Sequence, residues 1–290
     1  MANRHFAKLA DVWKHLALCE ILSSERPASY WESHAGSAAY VMVDDPERNF
    51  GALRFWQHAH GSPVLERSRY LSHLRRFNPD GRLETYPGSS LLAMSELGAK
   101  ADYVLCETDP ASVEHLRAWT THLRLGGRVT IVQKDGPIAL HDALEGNDPA
   151  PVLTHIDPFD PWSRGTGGLS ALDVAAELAD AGVRTVHWYG YDRPALRAWA
   201  LEEIGRRTGT PLWNGDFLVT SSEPPAETPV GDLGVATTAG TGFGIVCAHL
   251  TDRTLERCAA LGHALAAMWR GVPLPGGEAG GLDFAVRSRR

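Results

Sequence analysis

Leu153-Thr154-His155-Ile156-Asp157-Pro158-Phe159-Asp160-Pro161-Trp162 is the stretch that decides the fold. A short apolar run that ends on a carboxylate and then a proline reads as a buried strand stopping where the chain must turn. Working outward, the runs 103 to 107, 128 to 133 and 185 to 191 repeat the pattern, each separated from the next by enough chain for a helix. Strand and helix in alternation predict a mostly parallel sheet with helices on both faces, a Rossmann-like α/β fold. Ala28 to Glu32 supplies the leading strand. At the far end, Asp232 to Thr238 and Phe243 to His249 flank Ala239-Gly240-Thr241-Gly242, which predicts a closing antiparallel hairpin and a seven-stranded sheet.

Other segments fill in around that sheet. Leu9, Val12, Leu16, Leu18 and Ile21 recur at near-helical spacing and predict an amphipathic opening helix over 8 to 25. Residues 46 to 76 are rich in Arg, His and aromatics with a Gly61-Ser62-Pro63 break, a helical insertion. Helix 251 to 270 follows the hairpin. The expected organisation is therefore one domain over 1–45 and 77–270, an insertion at 46–76, and a flexible Gly/Pro-rich tail at 271–290. Pro224, Pro225 and Pro229 mark 222 to 231 as a loop.

Composition narrows the function. The 290 residues are 43% hydrophobic and 22% charged, an ordinary globular balance. The first residues lack the apolar core of a signal peptide and no run of about 18 apolar residues occurs, so a cytoplasmic, membrane-free protein is expected. Cys19, Cys106, Cys247 and Cys258 form no Cys-x-x-Cys pair and read as reduced, mostly buried thiols. A formal charge of -7 disfavours a broad nucleic-acid surface. Any such contact must be locally basic. Arg67, Arg69, Arg75 and Arg76 with Tyr70 offer the best patch, and a solvated helix face explains them equally well.

Ligands of an open parallel sheet bind outside the carboxyl ends of its strands. Three carboxylates fall there. Glu32 closes the first strand before the small-residue loop His34-Ala35-Gly36, Glu107 closes the second at the usual ribose position, and Asp157 closes the fourth. A single Gly36, where a nicotinamide enzyme needs Gly-x-Gly-x-x-Gly, favours S-adenosylmethionine over a dinucleotide. Asp135-Gly136 follows the third strand, either as a turn or as an acceptor for an adenine amine. Asp157-Pro158 suits a demanding nucleophile. A purine exocyclic amine has its lone pair delocalised, so two acceptors must draw on its hydrogens as it attacks a methyl group. The Asp157 carboxylate and the Pro158 carbonyl supply them, with Phe159 or Trp162 stacked on a flipped or single-stranded base. His58-Ala59-His60 has no third ligand beside it and reads as a helix end, so no metal is expected. Gly240-Thr241-Gly242-Phe243-Gly244 leads into a strand rather than a helix N-terminus, so it reads as a hairpin and not a phosphate loop.

In this order the motifs resemble the RlmJ family of 23S ribosomal RNA adenine-N6 methyltransferases over about residues 3 to 270. Arg4-His5 and Ala10-Asp11-Val12-Trp13-Lys14-His15 are similar to the family's N-terminal Arg-His and Ala-Asp-Val-x-Lys-His. Glu32-Ser33-His34-Ala35-Gly36 is similar to its Asp-Thr-His-Ala-Gly, Phe77-Asn78-Pro79-Asp80-Gly81 and Tyr86-Pro87-Gly88-Ser89 to the segment that carries its cofactor-contacting serine, and Trp188-Tyr189 to the pair after its fifth strand. The resemblance implies S-adenosylmethionine at Lys14, His15, Glu32, His34, Gly36, Ser89, Glu107, Asp135, Gly136 and Asp157. It implies catalysis by Asp157, Pro158 and Phe159, and RNA contacts by Arg4, His5, Lys14 and Trp162 in a monomer or weak dimer. Departures are plain: Glu32 replaces Asp, Ala38 replaces the loop's last glycine, Phe159-Asp160 replaces Pro-Tyr, and two residues are missing between His5 and Asp11. They admit two alternatives, a small-molecule methyltransferase and an inactive RNA-binding relative.

Overall fold

The computed structural model describes residues 5–145, 151–165, 167–221 and 236–290. The chain opens with helix α1 (Leu9–Glu25), strand β1 (Ser29–Glu32) and strand β2 (Ala39–Val41). Short helices α2 (Pro46–Arg48), α3 (Arg54–His58), α4 (Pro63–Glu66) and α5 (Arg69–Phe77) then lead to β3 (Thr85–Pro87). β2 and β3 pair antiparallel, Ala39 against Pro87, so this helical run leaves and rejoins the fold at one place. Next come α6 (Ser89–Leu97), β4 (Asp102–Cys106), α7 (Pro110–His122), β5 (Val129–Val132), α8 (Gly136–Leu144), β6 (Val152–Ile156), α9 (Ala171–Asp180) and β7 (Arg184–Tyr191). α10 (Trp199–Arg207), β8 (Leu212–Ser221), β9 (Gly242–Ala248), α11 (Asp252–Met268) and β10 (Gly280–Arg289) complete the chain.

The main sheet has eight strands in the order β10-β8-β9-β7-β6-β1-β4-β5. β5, β4, β1, β6 and β7 run parallel; β9 is antiparallel to both β7 and β8. After β1 the chain builds outward through β4 and β5, then returns to lay β6 on the other flank of β1. The order therefore reverses between β1 and β6, and the crevice beyond their carboxyl ends is where such sheets bind ligands. Asp157 and Ser33 stand there, joined by an Asp157 N–H donated to Ser33 Oγ at 3.3 Å.

Three sequence expectations change. α1 is not amphipathic: from Leu9 to Leu22 all but Asp11 is buried, so its polar side chains need partners inside the protein. The closing antiparallel pair exists, but the partner of β9 is β8 and not 232–238. Ala236–Gly240 is a turn instead, with Gly240 at φ +86°, and residues 222–235 lie outside the described residues. β8 hides from pattern reading because Asn214 and Asp216 are both fully buried within it, breaking the polar alternation of a half-exposed strand.

The third change concerns the tail. Gly280–Arg289 is an edge strand paired with β8 along its whole length, from Gly280 opposite Ser221 to Arg289 opposite Leu212. Phe284 reaches Trp13 and Phe217, ring centroids 5.3 and 4.7 Å away, and Arg287 meets the buried Asp216 carboxylate. Buried charge needs a countercharge, and the tail supplies one of two. Arg197 supplies the other and also binds Asp283 at 2.6 Å.

Candidate functional site

Because α1 is buried on nearly every side, Lys14 cannot place its ammonium in solvent. It sits between two carboxylates, 2.8 Å from Asp11 Oδ1 and 2.6 Å from Asp157 Oδ2, with the Trp188 ring 5.7 Å away. Burial acts to lower the Lys14 pKa, but Asp11 and Asp157 outweigh it and hold the ammonium above its ordinary value. Reciprocally, burial would raise the Asp157 carboxyl, yet the Lys14 charge holds it below the usual carboxylate range. Asp157 is therefore ionised at neutral pH. The contribution of this lowered carboxyl to stability is present above its ordinary value of 3.8 and is lost as pH falls through the lower folded value.

The neighbouring polar groups are fixed as firmly. His15 Nδ1 lies 2.9 Å from the Tyr86 hydroxyl, which accepts from Tyr70 at 3.1 Å, and burial drives His15 well below its ordinary pKa. Glu107 ties the β1 and β4 ends together: Oε2 accepts the Gly36 N–H at 2.8 Å, and Oε1 accepts those of Thr108 and Asp109. A carboxylate so clamped keeps its remaining lone pairs aimed for a ligand. Ser89 opens α6 behind Gly88, where a Cβ would lie 2.6 Å from the Ser37 carbonyl oxygen; only glycine lets the two loops meet. Gly88 and Ser89 at the N-terminus of α6 line the cavity with no side chain capping the helix, a setting that suits an anion.

These groups surround one cavity of about 190 Å³. Of the residues expected from sequence, it is lined by His5, Lys14, His15, His34, Gly36, Ser89, Glu107, Asp157 and Phe159. Phe159 is 68% exposed at its mouth, its ring 5.5 Å from that of His5. Phe6 and Tyr40, stacked 4.4 Å apart, also line it and were not expected. Their only sequence signal is position, one beside His5 and the other just past the glycine loop.

Five expected residues do not line it, and a sixth lies outside the described residues. Glu32 is fully buried and pairs with His155 Nδ1 at 2.9 Å, beneath the cavity rather than in its wall. The added methylene relative to Asp carries its carboxylate to His155 on the adjacent strand. Asp135 lies beside the cavity with Oδ1 buried and unpartnered, and Gly165 packs against its carboxylate. Gly136 serves packing, since a Cβ there would fall 1.9 Å from the Ser33 carbonyl oxygen. Trp162 lies outside the cavity, stacked on Trp199. Pro158 is buried next to Asp157, and Arg4 lies outside the described residues.

Two of the four arginines of the insertion's basic patch are paired with acids. Arg75 binds Glu66 at 2.9 Å, Arg69 binds Glu96 at 3.0 Å, and Arg67 donates to the Pro63 carbonyl. Tyr70 is fully buried and has no face to offer a base. Among the described residues no cluster of His, Cys, Asp and Glu is grouped to hold a metal, and no helix is long and apolar enough to cross a membrane.

Gly136→Ala is expected to cost roughly 3 kcal/mol, the upper end for overpacking, because the obstructing Ser33 carbonyl is backbone and cannot rotate away. Urea unfolding measures it; an unchanged midpoint would mean that the loop after β1 yields.

Three comparisons bear on this site. A family model described as "Ribosomal RNA large subunit methyltransferase D, RlmJ" matches residues 25–183. The ribosomal RNA large subunit methyltransferase J of Escherichia coli is 28% identical over 141 residues, 46% of this chain and 49% of that protein, so the match spans about half of the relative's length. The crystal structure of protein LPL1258 from Legionella pneumophila superposes with a TM-score of 0.73 over 98% of both chains at 19% identity, a likeness of fold. The matched segment runs from the end of α1 to the start of β7 and takes in Gly36, Glu107 and Asp157. With the family model covering more than half of its residues, the chain belongs to the RlmJ family.

Proposed function

We propose that this chain is an S-adenosylmethionine-dependent methyltransferase acting on the exocyclic amine of adenine in RNA. The observation that carries the reading is the Asp157 carboxylate, paired with Lys14 in a cavity also lined by Glu107, Gly36 and Ser89. That donor set fits the cofactor: Glu107 accepts from ribose hydroxyls, and the first turn of α6 receives the methionine carboxylate. The cavity is smaller than the roughly 300–1,000 Å³ usual for small-molecule sites and opens to solvent, so part of the ligand extends beyond its enclosed portion. When bound, S-adenosylmethionine supplies an electrophilic methyl group on sulfur.

The protein's own residues act on the amine. Asp157 and the Pro158 carbonyl accept its two hydrogens, returning lone-pair density to nitrogen and steadying the positive charge that grows there during in-line attack. Phe159, which stands where the resemblance has the second proline, stacks on the flipped adenine in place of the tyrosine that Asp160 replaces. Lys14 keeps the acceptor ionised and, with His5, meets the incoming nucleotide. The chemistry calls for no metal.

One pH prediction follows. With its pKa lowered, Asp157 is a competent acceptor at all pH values above the carboxylate range, so the acid limb of kcat/KM falls below that range. Lys14→Met removes the main charge opposing burial and leaves only His155 and His34 to counter it. The acid limb is expected to move upward toward neutrality, as read from a pH–rate profile; an unmoved limb would show that Lys14 does not set the charge of Asp157.

Calorimetry with S-adenosylmethionine tests the enzyme reading, and absence of binding would remove it in favour of an inactive RNA-binding relative. A small-molecule acceptor is the second reading, favoured by the net charge of -7 and the paired arginines of the insertion. Labelled methyl transfer into total RNA, compared with DNA and metabolite fractions, separates the two.

A further inference from the structure

Beyond the cavity, the loop after Asp157 carries a second aromatic surface. The Asp160 side chain accepts the backbone N–H groups of Trp162 at 3.0 Å and Ser163 at 3.3 Å, a turn that lays Trp162 flat on Trp199. The two rings lie 5.0 Å apart and 23° from parallel. Trp199 is itself fixed: its indole N–H donates to the Gly190 carbonyl at 3.0 Å, and Tyr189 meets it edge-on at 5.6 Å. The stack thus runs from a buried tyrosine through an anchored tryptophan to an outer ring that is 51% exposed. Among the described residues the other exposed large hydrophobic side chains, apart from Phe159, are aliphatic.

Resting on the reading above, we propose that the outer face of Trp162 is a stacking site for the nucleobase flanking the target adenine in single-stranded RNA. Phe159 lines the cavity and serves the target base; Trp162, three residues on in the same loop, lies outside it and is half exposed, so it is left for a base beside the target. Charge argues the same way. If the acceptor is RNA, a net charge of -7 with Arg69 and Arg75 paired to acids limits what phosphate contacts supply, and base stacking supplies affinity that needs no cations. A ring already held by Trp199 loses little freedom on stacking. Asp160 thereby acquires a purpose: it shapes the turn that presents Trp162.

The test is equilibrium binding of the full chain, by fluorescence anisotropy, to a five-nucleotide single-stranded RNA with a central adenine, intact or with abasic flanks. The wild type is expected to bind the intact strand roughly ten- to hundredfold more tightly than the abasic one. Trp162→Ala should lose that factor on the intact strand and lose nothing further on the abasic strand, while Trp162→Phe restores most of it. S-adenosylmethionine affinity should stay unchanged in both variants; the urea midpoint should drop modestly in Trp162→Ala, which also loses the inner face stacked on Trp199, and stay near wild type in Trp162→Phe. Wild-type indifference to the flanking bases, or an equal loss by Trp162→Ala on both strands, overturns the inference and leaves the methyltransferase reading intact. Failure of the wild type to bind S-adenosylmethionine overturns that reading, and the inference with it.

Discussion

Asp157→Ala is expected to lower methyl transfer at least about 10³-fold while leaving S-adenosylmethionine affinity nearly unchanged. Asp157 is the lining carboxylate followed by Pro158, whereas the groups suited to the cofactor are Gly36, Ser89 and Glu107. Asp157→Asn keeps the shape and one acceptor oxygen but sacrifices the charge, and should retain a trace of activity. In either variant Lys14 keeps Asp11 as a partner, so the loss of stability should stay below the roughly 3–5 kcal/mol of a fully broken buried pair. Single-turnover kinetics with saturating cofactor separate the chemical step from binding. Full activity in Asp157→Ala would end the assignment of this residue.

Removing residues 277–290 should destabilise the fold by more than about 3–5 kcal/mol, the amount expected for Phe284→Ala alone. The truncation also uncovers the whole edge of β8, takes Arg287 from the buried Asp216, and takes Asp283 from Arg197. Against a typical stability of about 5–15 kcal/mol this is a large fraction, and a newly exposed strand edge invites aggregation. Urea unfolding of the truncated and full chains measures it. Equal midpoints would mean that β10 contributes nothing to the fold.

These two results bracket what sequence could and could not reveal. The place of Asp157 at a strand end was legible because an apolar run must stop where a carboxylate and a proline follow it; alone that is an ordinary strand and turn, and only its order among the other motifs pointed to a site. The parallel strands were legible for a related reason, since buried strands read as continuous apolar runs. β10 was not, because glycines and prolines before Gly280 resemble a linker while the register that captures Leu282 to Val286 lives on β8. β8 was hidden in turn by Asn214 and Asp216, whose burial is made tolerable by Tyr189, Arg197 and Arg287 far away in sequence. Polar residues with distant partners are invisible to any local pattern. The same limit explains Glu32: its position at a strand end was right, but the His155 that occupies it lies on another strand. It explains Tyr70 as well, an aromatic among arginines that tertiary packing turns inward.

The site itself divides along the same line. Lys14 and His15 were expected to touch the ligand, and they do line the cavity, but the reason they are there is the all-round burial of α1. Trp162 was expected to contact the substrate, as one of two rings that could stack on the base; it lies outside the cavity, stacked on Trp199. Phe159 alone of the two aromatics borders the space that a target adenine would enter.

The central claim is methylation of an adenine amine in RNA. Its most direct test is incubation of the full chain with methyl-labelled S-adenosylmethionine and ribosomal RNA, followed by digestion to nucleosides and mass spectrometry. The account predicts label in N6-methyladenosine, lost in Asp157→Ala. Label in any other nucleoside, or in none while a metabolite fraction is labelled, would contradict it.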